Sequence, residues 1–234
     1  MEVSPYYEKK FDCPHCKTAF KSLKIRKNAV RIAATDTDFY PTYTEDSAKG
    51  YYYNVFVCEH CGYSFTEDFS PYFAPGVQQT LNEQVCAHWA PHHFKGERTA
   101  HEAIQAYKLA FLCGSIKQER HIILAGLLLR LAWLYREIGN KPQEMRFLRL
   151  SFTHYNESYS TGDYEKLNMS EMRVLYMIGE LAFRLDDIEQ ATRYFSRIIE
   201  RQSLGGDAKI VDMAKERWES VRAIREERRA QMQA

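Results

Sequence analysis

Long apolar runs are missing from this chain. The greasiest stretch, Ile122 to Leu134, is interrupted by Arg130 and is shorter than the ~20 apolar residues a membrane span requires, so no contact with a membrane is expected. A surplus of either charge is missing too: Lys+Arg number 32 and Asp+Glu 31, for a formal net charge of +1. Nothing global draws such a chain to nucleic acid or to an anionic bilayer. There is no Gly-rich phosphate loop, no nucleophile elbow and no carboxylate pair in a catalytic setting, and the scattered His and Asp residues lack the orienting partners that a catalytic dyad needs. A non-enzymatic role is expected. Met1 to Lys10 contains no apolar core before a cleavage site, so no secretory signal is read and the expected location is the cytoplasm.

Cysteine is scarce, at 6 of 234 residues. In a reducing compartment so few thiols do not form a disulfide framework, and paired ones point to metal or redox chemistry. Four of the six are paired, as Cys13-Pro14-His15-Cys16 and Cys58-Glu59-His60-Cys61-Gly62-Tyr63. A two-residue gap lets both sulfurs of one turn face a single point, and Gly62 fits the position where such a turn takes positive φ. Two of these knuckles predict a closed tetrahedral site of Cys13, Cys16, Cys58 and Cys61. It would hold one structural ion, zinc (Zn2+), with iron also compatible with four thiolates. The first knuckle departs from the symmetric form, with Lys17 where a Gly is expected. Metal binding and folding should be coupled. His15 and His60 are expected to point outward.

Cys86, His88, His92 and His93 form a second cluster around Pro91. Its spacing fits no common template, and it reads as a packed connector. Cys113 reads as a buried thiol. From Lys9 to Arg31 the chain is basic, with Lys9, Lys10, Lys17, Lys21, Lys24, Arg26, Lys27 and Arg31 against Asp12; from Ile32 to Ser70 it is acidic. The basic run either compensates a zinc tetrathiolate or presents a one-sided strip to nucleic acid, with aromatics available to stack bases.

The texture predicts an α+β protein: a zinc-ribbon-like metal domain over 1–70, a Pro-punctuated connector over 71–95 and an all-helical domain over 96–234. Tyr51-Tyr52-Tyr53-Asn54-Val55-Phe56-Val57 reads as the clearest strand. Leu23-Lys24-Ile25 and Val30-Arg31-Ile32 suggest a hairpin, and Asp36 to Ser47 a polar, turn-rich segment. Beyond Gly96, apolar residues recur at helical spacing. Breaks are expected at Gly114-Ser115, at Gly139-Asn140-Lys141-Pro142, at Asp186-Asp187 and at Gly205-Gly206, with Ser170 or Asn168 as one cap and Asp207 as another.

Two helix pairs align with each other, Leu131-Ala132 on Ile178-Gly179, Gly139 on Asp186 and Leu148 on Phe195. Ile178-Gly179, Ala182, Ala191 and Phe195 satisfy the tetratricopeptide pattern of small and aromatic positions, and the first copy is a degenerate one. A plain helical bundle is the alternative. On the tetratricopeptide reading, Arg130, Trp133, Arg136, Arg173, Tyr176 and Arg184 line a concave face suited to a carboxylate-bearing protein or peptide partner. Otherwise these arginines pair with local acids such as Glu137, Glu171 and Glu180, and Trp133 is core.

The chain resembles a bacterial family, domain of unknown function 2225. The resemblance rests on Cys13-Pro14-His15-Cys16, Asp36-Thr37-Asp38-Phe39, Tyr53-Asn54-Val55 leading to Cys58-Glu59-His60-Cys61-Gly62-Tyr63, and Leu175-Tyr176-Met177-Ile178-Gly179-Glu180-Leu181. It implies a zinc-ribbon-like part joined to tetratricopeptide-like helices. The favoured function is an adaptor that engages a partner through its helices. The rivals are a nucleic-acid-binding factor acting through the ribbon and a rubredoxin-like electron carrier.

Overall fold

The computed structural model describes residues 4–90, 94, 96–167, 169–204 and 207–233. Small antiparallel sheets come first and helices follow, the expected α+β arrangement. The strands are β1 (Tyr6–Asp12), β2 (Ala19–Ile25), β3 (Ile32–Thr35), β4 (Pro41–Tyr43), β5 (Phe56–Val57) and β6 (Ser64–Phe65). The helices are α1 (Val77–Gln84), α2 (Ala100–Ile116), α3 (His121–Glu137), α4 (Lys141–Thr161), α5 (Glu171–Arg184), α6 (Ile188–Glu200) and α7 (Ala208–Gln233). By contacts the chain forms two compact units, Met1–Asp36 with Tyr40–Glu119 and Gly126–Phe147, and Thr37–Phe39 with Arg120–Ala125 and Leu148–Ala234.

In the first unit each pair of strands is a ribbon of its own. β1 pairs with β2 from Tyr6↔Ile25 to Asp12↔Ala19, β3 with β4, and β5 with β6 through Phe56↔Phe65 and Val57↔Ser64. The hairpin expected between Leu23-Lys24-Ile25 and Val30-Arg31-Ile32 is therefore not formed. The first Cys pair closes β2 onto β1 instead, and Arg26 N–H continues that ladder to Pro5 O at 2.9 Å. The strand expected over Tyr51 to Val57 shortens to Phe56–Val57, because Gly50–Tyr53 coils into a 3-10 turn. Strand alternation would turn successive tyrosines to opposite faces, yet all three are buried. Tyr51 and Tyr52 hydroxyls donate to Glu137, and the Tyr53 hydroxyl accepts from Arg98 N–H at 2.8 Å.

The segment expected to be a connector contains α1, which buries Val77 and Leu81. These two pack with Phe20, Phe56, Tyr63, Phe65, Val85 and Cys113 around the four paired cysteines. α2 opens on a reciprocal capping box between Thr99 and Glu102, which satisfies two N–H groups that the first turn leaves free. It runs through the break expected at Gly114-Ser115. Ser115 Oγ bonds back to Phe111 O at 2.8 Å, a local bond that a helix tolerates.

In the second unit, α5, α6 and α7 pack with one another. Leu175, Ile178, Leu181, Phe195, Ile198, Val211, Ala214 and Val221 are buried. Gly179 is needed here: a Cβ would stand 2.9 Å from the Phe195 ring. Ser170 caps α5 and Asp187 caps α6, and Asp207 Oδ1 accepts from Lys209 N–H at 3.1 Å. Asn168 and Gly205-Gly206 lie outside the described residues.

The two aligned turns are built alike, 47 residues apart in sequence. Gly139 and Asp186 both take the left-handed conformation, at φ 71° and 68°. Asn140 N–H donates to Tyr135 O and Asp187 N–H to Ala182 O, each at 2.9 Å, the closing bond of a Schellman turn. Asn140 and Asp187 then cap the next helix through Gln143 N–H at 3.2 Å and Gln190 N–H at 3.0 Å.

Candidate metal centre

The first knuckle is held open by two backbone bonds: Cys13 N–H donates to Thr18 O and Lys17 N–H to Cys13 O, both at 3.0 Å. The second repeats them, Cys58 N–H to Tyr63 O at 3.0 Å and Gly62 N–H to Cys58 O at 2.8 Å. The last turn residue is left-handed in both, Lys17 at φ 63° and Gly62 at φ 73°. Lys17 thus adopts the backbone that a Gly would take more readily, so its departure from the symmetric pattern changes the strain and not the shape. β1–β2 carries the first knuckle and β5–β6 the second.

Cys13, Cys16, Cys58 and Cys61 converge, with their sulfurs all within 4.8 Å of one another. Cys13 Sγ to Cys61 Sγ and Cys16 Sγ to Cys58 Sγ are each 3.7 Å. A tetrahedral ion with ~2.3 Å bonds to four sulfurs sets them about 3.8 Å apart. A disulfide would need ~2.0 Å, and all six cysteines are free thiols. Spacing, number and donor type therefore fit a four-thiolate metal ion. Cys13 and Cys58 are fully buried. Hydrogen bonds from Cys13 and Cys61 draw the Cys58 thiol down to about 2. Cys13, bonded to Cys58, is pushed up to about 12, and Cys61 is raised by its bonds to Cys13 and Cys58. Sulfurs this close share protons unless a cation replaces them.

Several residues that the sequence did not single out support the centre. The Trp89 indole lies over Gly62, where a Cβ would come within 2.5 Å of the ring, and its Nε1–H donates to Glu59 O at 2.8 Å. Gly62 is thus required twice, by its φ and by the ring above it. His15 is half-buried rather than turned fully outward, with Nε2 2.9 Å from Asn82 Oδ1 and its ring beside Tyr63 and Phe73. His60 is exposed. Cys113 Sγ accepts from Ser64 N–H at 3.4 Å, and burial pushes that thiol up to about 12. Cys86 packs against the same core; burial raises its thiol, against a hydrogen bond with Cys61 that lowers it. Among the described residues, the four-Cys group is the one metal-competent cluster, and it includes neither Cys86 nor His88. His92 and His93 lie outside the described residues.

The basic run is partly neutralised where it stands. Lys9 and Lys24 share Glu67 at 3.1 and 2.7 Å, and Lys21 pairs with Glu8 at 2.7 Å. Lys17 Nζ donates to Pro14 O at 2.7 Å inside the first knuckle.

The six residues expected to face a partner fall into two groups, each engaged by the chain itself. In the first unit, Arg130 Nη1 donates to Gly126 O at 3.0 Å. Trp133 is buried between Tyr40 and Tyr51, and Arg136 holds Glu144 at 2.8 Å and Asp36 at 3.3 Å. In the second unit, the counterpart of Arg173, Tyr176 and Arg184 is Thr37–Phe39. Tyr176 OH donates to Thr37 O at 2.9 Å, Arg184 reaches Thr37 Oγ1 at 2.9 Å and Asp38 at 3.5 Å, and Arg173 stacks 4.6 Å above the Phe39 ring. Of the local acids named as alternatives, Glu180 pairs with Arg184, Glu171 with Arg201 and Glu137 with Lys49.

No helix among the described residues is long and apolar enough to cross a membrane. No curated protein and no solved structure shows a significant match to the chain. A family model described as "Uncharacterized protein conserved in bacteria" matches residues 6–221, and over that span the chain belongs to the DUF2225 family.

Proposed function

We propose that the protein is a non-enzymatic, zinc-bound cytoplasmic adaptor that engages a protein partner through tetratricopeptide-like helices. The observation that carries this reading is the closed four-sulfur site. Four protein thiolates complete the tetrahedron that zinc prefers and leave no position for a substrate or an activated water. Such an ion stabilises the fold, and reduced cysteines fit a reducing compartment. The matching turns at Gly139 and Asp186, with Gly179 seated on Phe195, support helix pairs of the tetratricopeptide kind. Stacks of such pairs serve as docking surfaces.

On this reading a partner at Arg130, Trp133, Arg136, Arg173, Tyr176 or Arg184 competes with the groups those residues already hold. Arg173 is the most available of them, because it alone of the six is exposed and its side-chain contact is with the Phe39 ring. The test is affinity purification from the native bacterium, with metal analysis of the same sample. Stoichiometric zinc and a partner lost on Arg173→Ala are the expected results. A red, iron-loaded protein would favour electron transfer, and steeply salt-dependent retention of RNA or DNA would favour nucleic-acid binding.

A further inference from the structure

The face of α7 that packs in the second unit runs Val211, Ala214, Trp218 and Val221, all buried or half-buried. Continued at helical spacing, that same face carries Arg225, Arg228 and Arg229. With Arg193 of α6 these three line a cleft of about 460 Å3. Ile188 and Thr192 add apolar surface, and Glu189 is the one carboxylate in the lining. Elsewhere on α7 the arginines are matched: Arg217 holds Glu180 at 2.7 Å and Arg222 holds Glu226 at 2.8 Å. Arg228 is taken up by Asp186. Among the described residues, Arg193, Arg225 and Arg229 make no ion pair. A stripe that is apolar over its first half and cationic where it borders a concavity sets four guanidinium groups, those of Arg193, Arg225, Arg228 and Arg229, against one lining carboxylate, Glu189.

We infer that this cleft binds an acidic peptide segment of a partner, its carboxylates on Arg193, Arg225 and Arg229 and its aliphatic groups on Ile188. The inference rests on the adaptor reading and supplies its ligand chemistry. Guanidinium forks match carboxylates two bonds at a time. A single-stranded nucleic acid is the poorer fit, since no aromatic ring lines the cleft for a base to stack on, and such stacking is a main source of that affinity.

The test uses the zinc-loaded full chain and a fluorescein-labelled hexaglutamate peptide, read by anisotropy at low and physiological salt, with hexalysine as the control. Saturable binding to hexaglutamate alone is expected. The Arg193→Glu, Arg225→Glu double variant should weaken it by at least about tenfold, as two charge-assisted contacts are lost, without change in melting temperature. Arg193→Gln with Arg225→Gln provides a second, milder reading should the first variant misfold. Arg222→Glu, paired elsewhere, should bind as wild type does. Absence of saturable binding, equal binding by both double variants, or displacement of the peptide by an equal concentration of oligothymidylate would overturn the inference. A native partner retained by both double variants overturns the cleft but leaves the adaptor reading intact. Failure of the wild-type chain to recover any partner overturns the adaptor reading, while the peptide titration still decides the cleft.

Discussion

The molecule buries a cluster of ionisable groups twice and surrounds the two in different ways. In the second unit Glu180 is fully buried, with one oxygen on Arg184 Nε at 2.7 Å and Thr37 Oγ1 at 2.6 Å and the other on Arg217 Nε at 2.7 Å. Asp38, also fully buried, has Arg184 at 3.5 Å. The counter-charge there is built into the sequence. Around the four knuckle sulfurs it is not: the influences on Cys13, Cys58 and Cys61 come from one another, from burial and from backbone groups. The nearby Lys17 ammonium is spent on a backbone carbonyl. A metal ion at the four cysteines, a group that could hold one, would supply that counter-charge from solution, whereas the buried carboxylates of the helices are matched by arginines.

Removing the metal should therefore have the largest effect. Cys58→Ser deletes one of the two fully buried candidate ligands. The loss in metal affinity should exceed the roughly 10–100-fold that removing a mere supporting hydrogen bond costs. Metal analysis after dialysis against a chelator, with thermal melting of the same sample, should show an ion lost and a transition lowered; full metal content in the variant would defeat the four-thiolate assignment. Chelation of the wild type should disturb the Trp89 fluorescence that reports on the second knuckle, since that indole lies on Gly62. Binding and folding are one equilibrium at such sites.

Breaking the built-in pair comes next. Glu180→Ala leaves Arg184 and Arg217 without their principal counter-charge, and losing one partner of a buried ion pair costs about 3–5 kcal/mol. Urea unfolding should show that loss with or without chelator. A deficit that appears only in metal-free protein would mean that the two charge centres are not independent.

How much of this was legible follows from where each determinant lies in sequence. The four clustered cysteines stand in two local patterns, Cys13 to Cys16 and Cys58 to Cys61, so spacing alone pointed to their convergence. The turns at Gly139 and Asp186 were legible for the same reason, since Gly, Asn and Asp are the residues that such conformations select. The burial of Asp38 was not legible, because its partner Arg184 is far along the chain and the local composition reads as a polar turn. Tyr51 to Tyr53 misled because β-propensity says nothing of hydroxyls that must reach Glu137 and Arg98. α1 was hidden by Pro71 and Pro75, which punctuate the segment before it without preventing a helix. Lys17 was read as a departure, although it adopts the same left-handed turn as Gly62.

A smaller effect is expected from packing alone. Gly179→Ala places a methyl 2.9 Å from Phe195, and overfilling a packed interior costs about 1–3 kcal/mol. Chemical denaturation should show it with metal content unchanged. A neutral result would mean that Phe195 shifts freely, which would weaken the tetratricopeptide comparison at its best-matched position.

The smallest effect depends on pH. His121 Nδ1 and His154 Nδ1 are 2.9 Å apart in the second unit, so one nitrogen donates and the other accepts, and charging both rings opposes the contact. Burial first, and then the His121 charge, lowers His154 below the ordinary 6.5, with Glu157 and Asp163 acting in the other direction. A histidine lowered on folding binds fewer protons in the native state than in the unfolded chain. Stability should then be fully retained above 6.5, decline as pH falls through that value, and level off once pH passes below the lowered native value. The sign is opposite to that of a histidine stabilised by a carboxylate. Melting temperature measured against pH should show a slope in this window that His154→Gln reduces, because glutamine keeps a polar group at the position and cannot take up the proton. An unchanged slope in the variant would assign the acid sensitivity to other groups. Glu67 is a candidate: Lys24 first and then Lys9 hold it below the ordinary carboxylate value, so its contribution would fade only at more acidic pH than the histidine's.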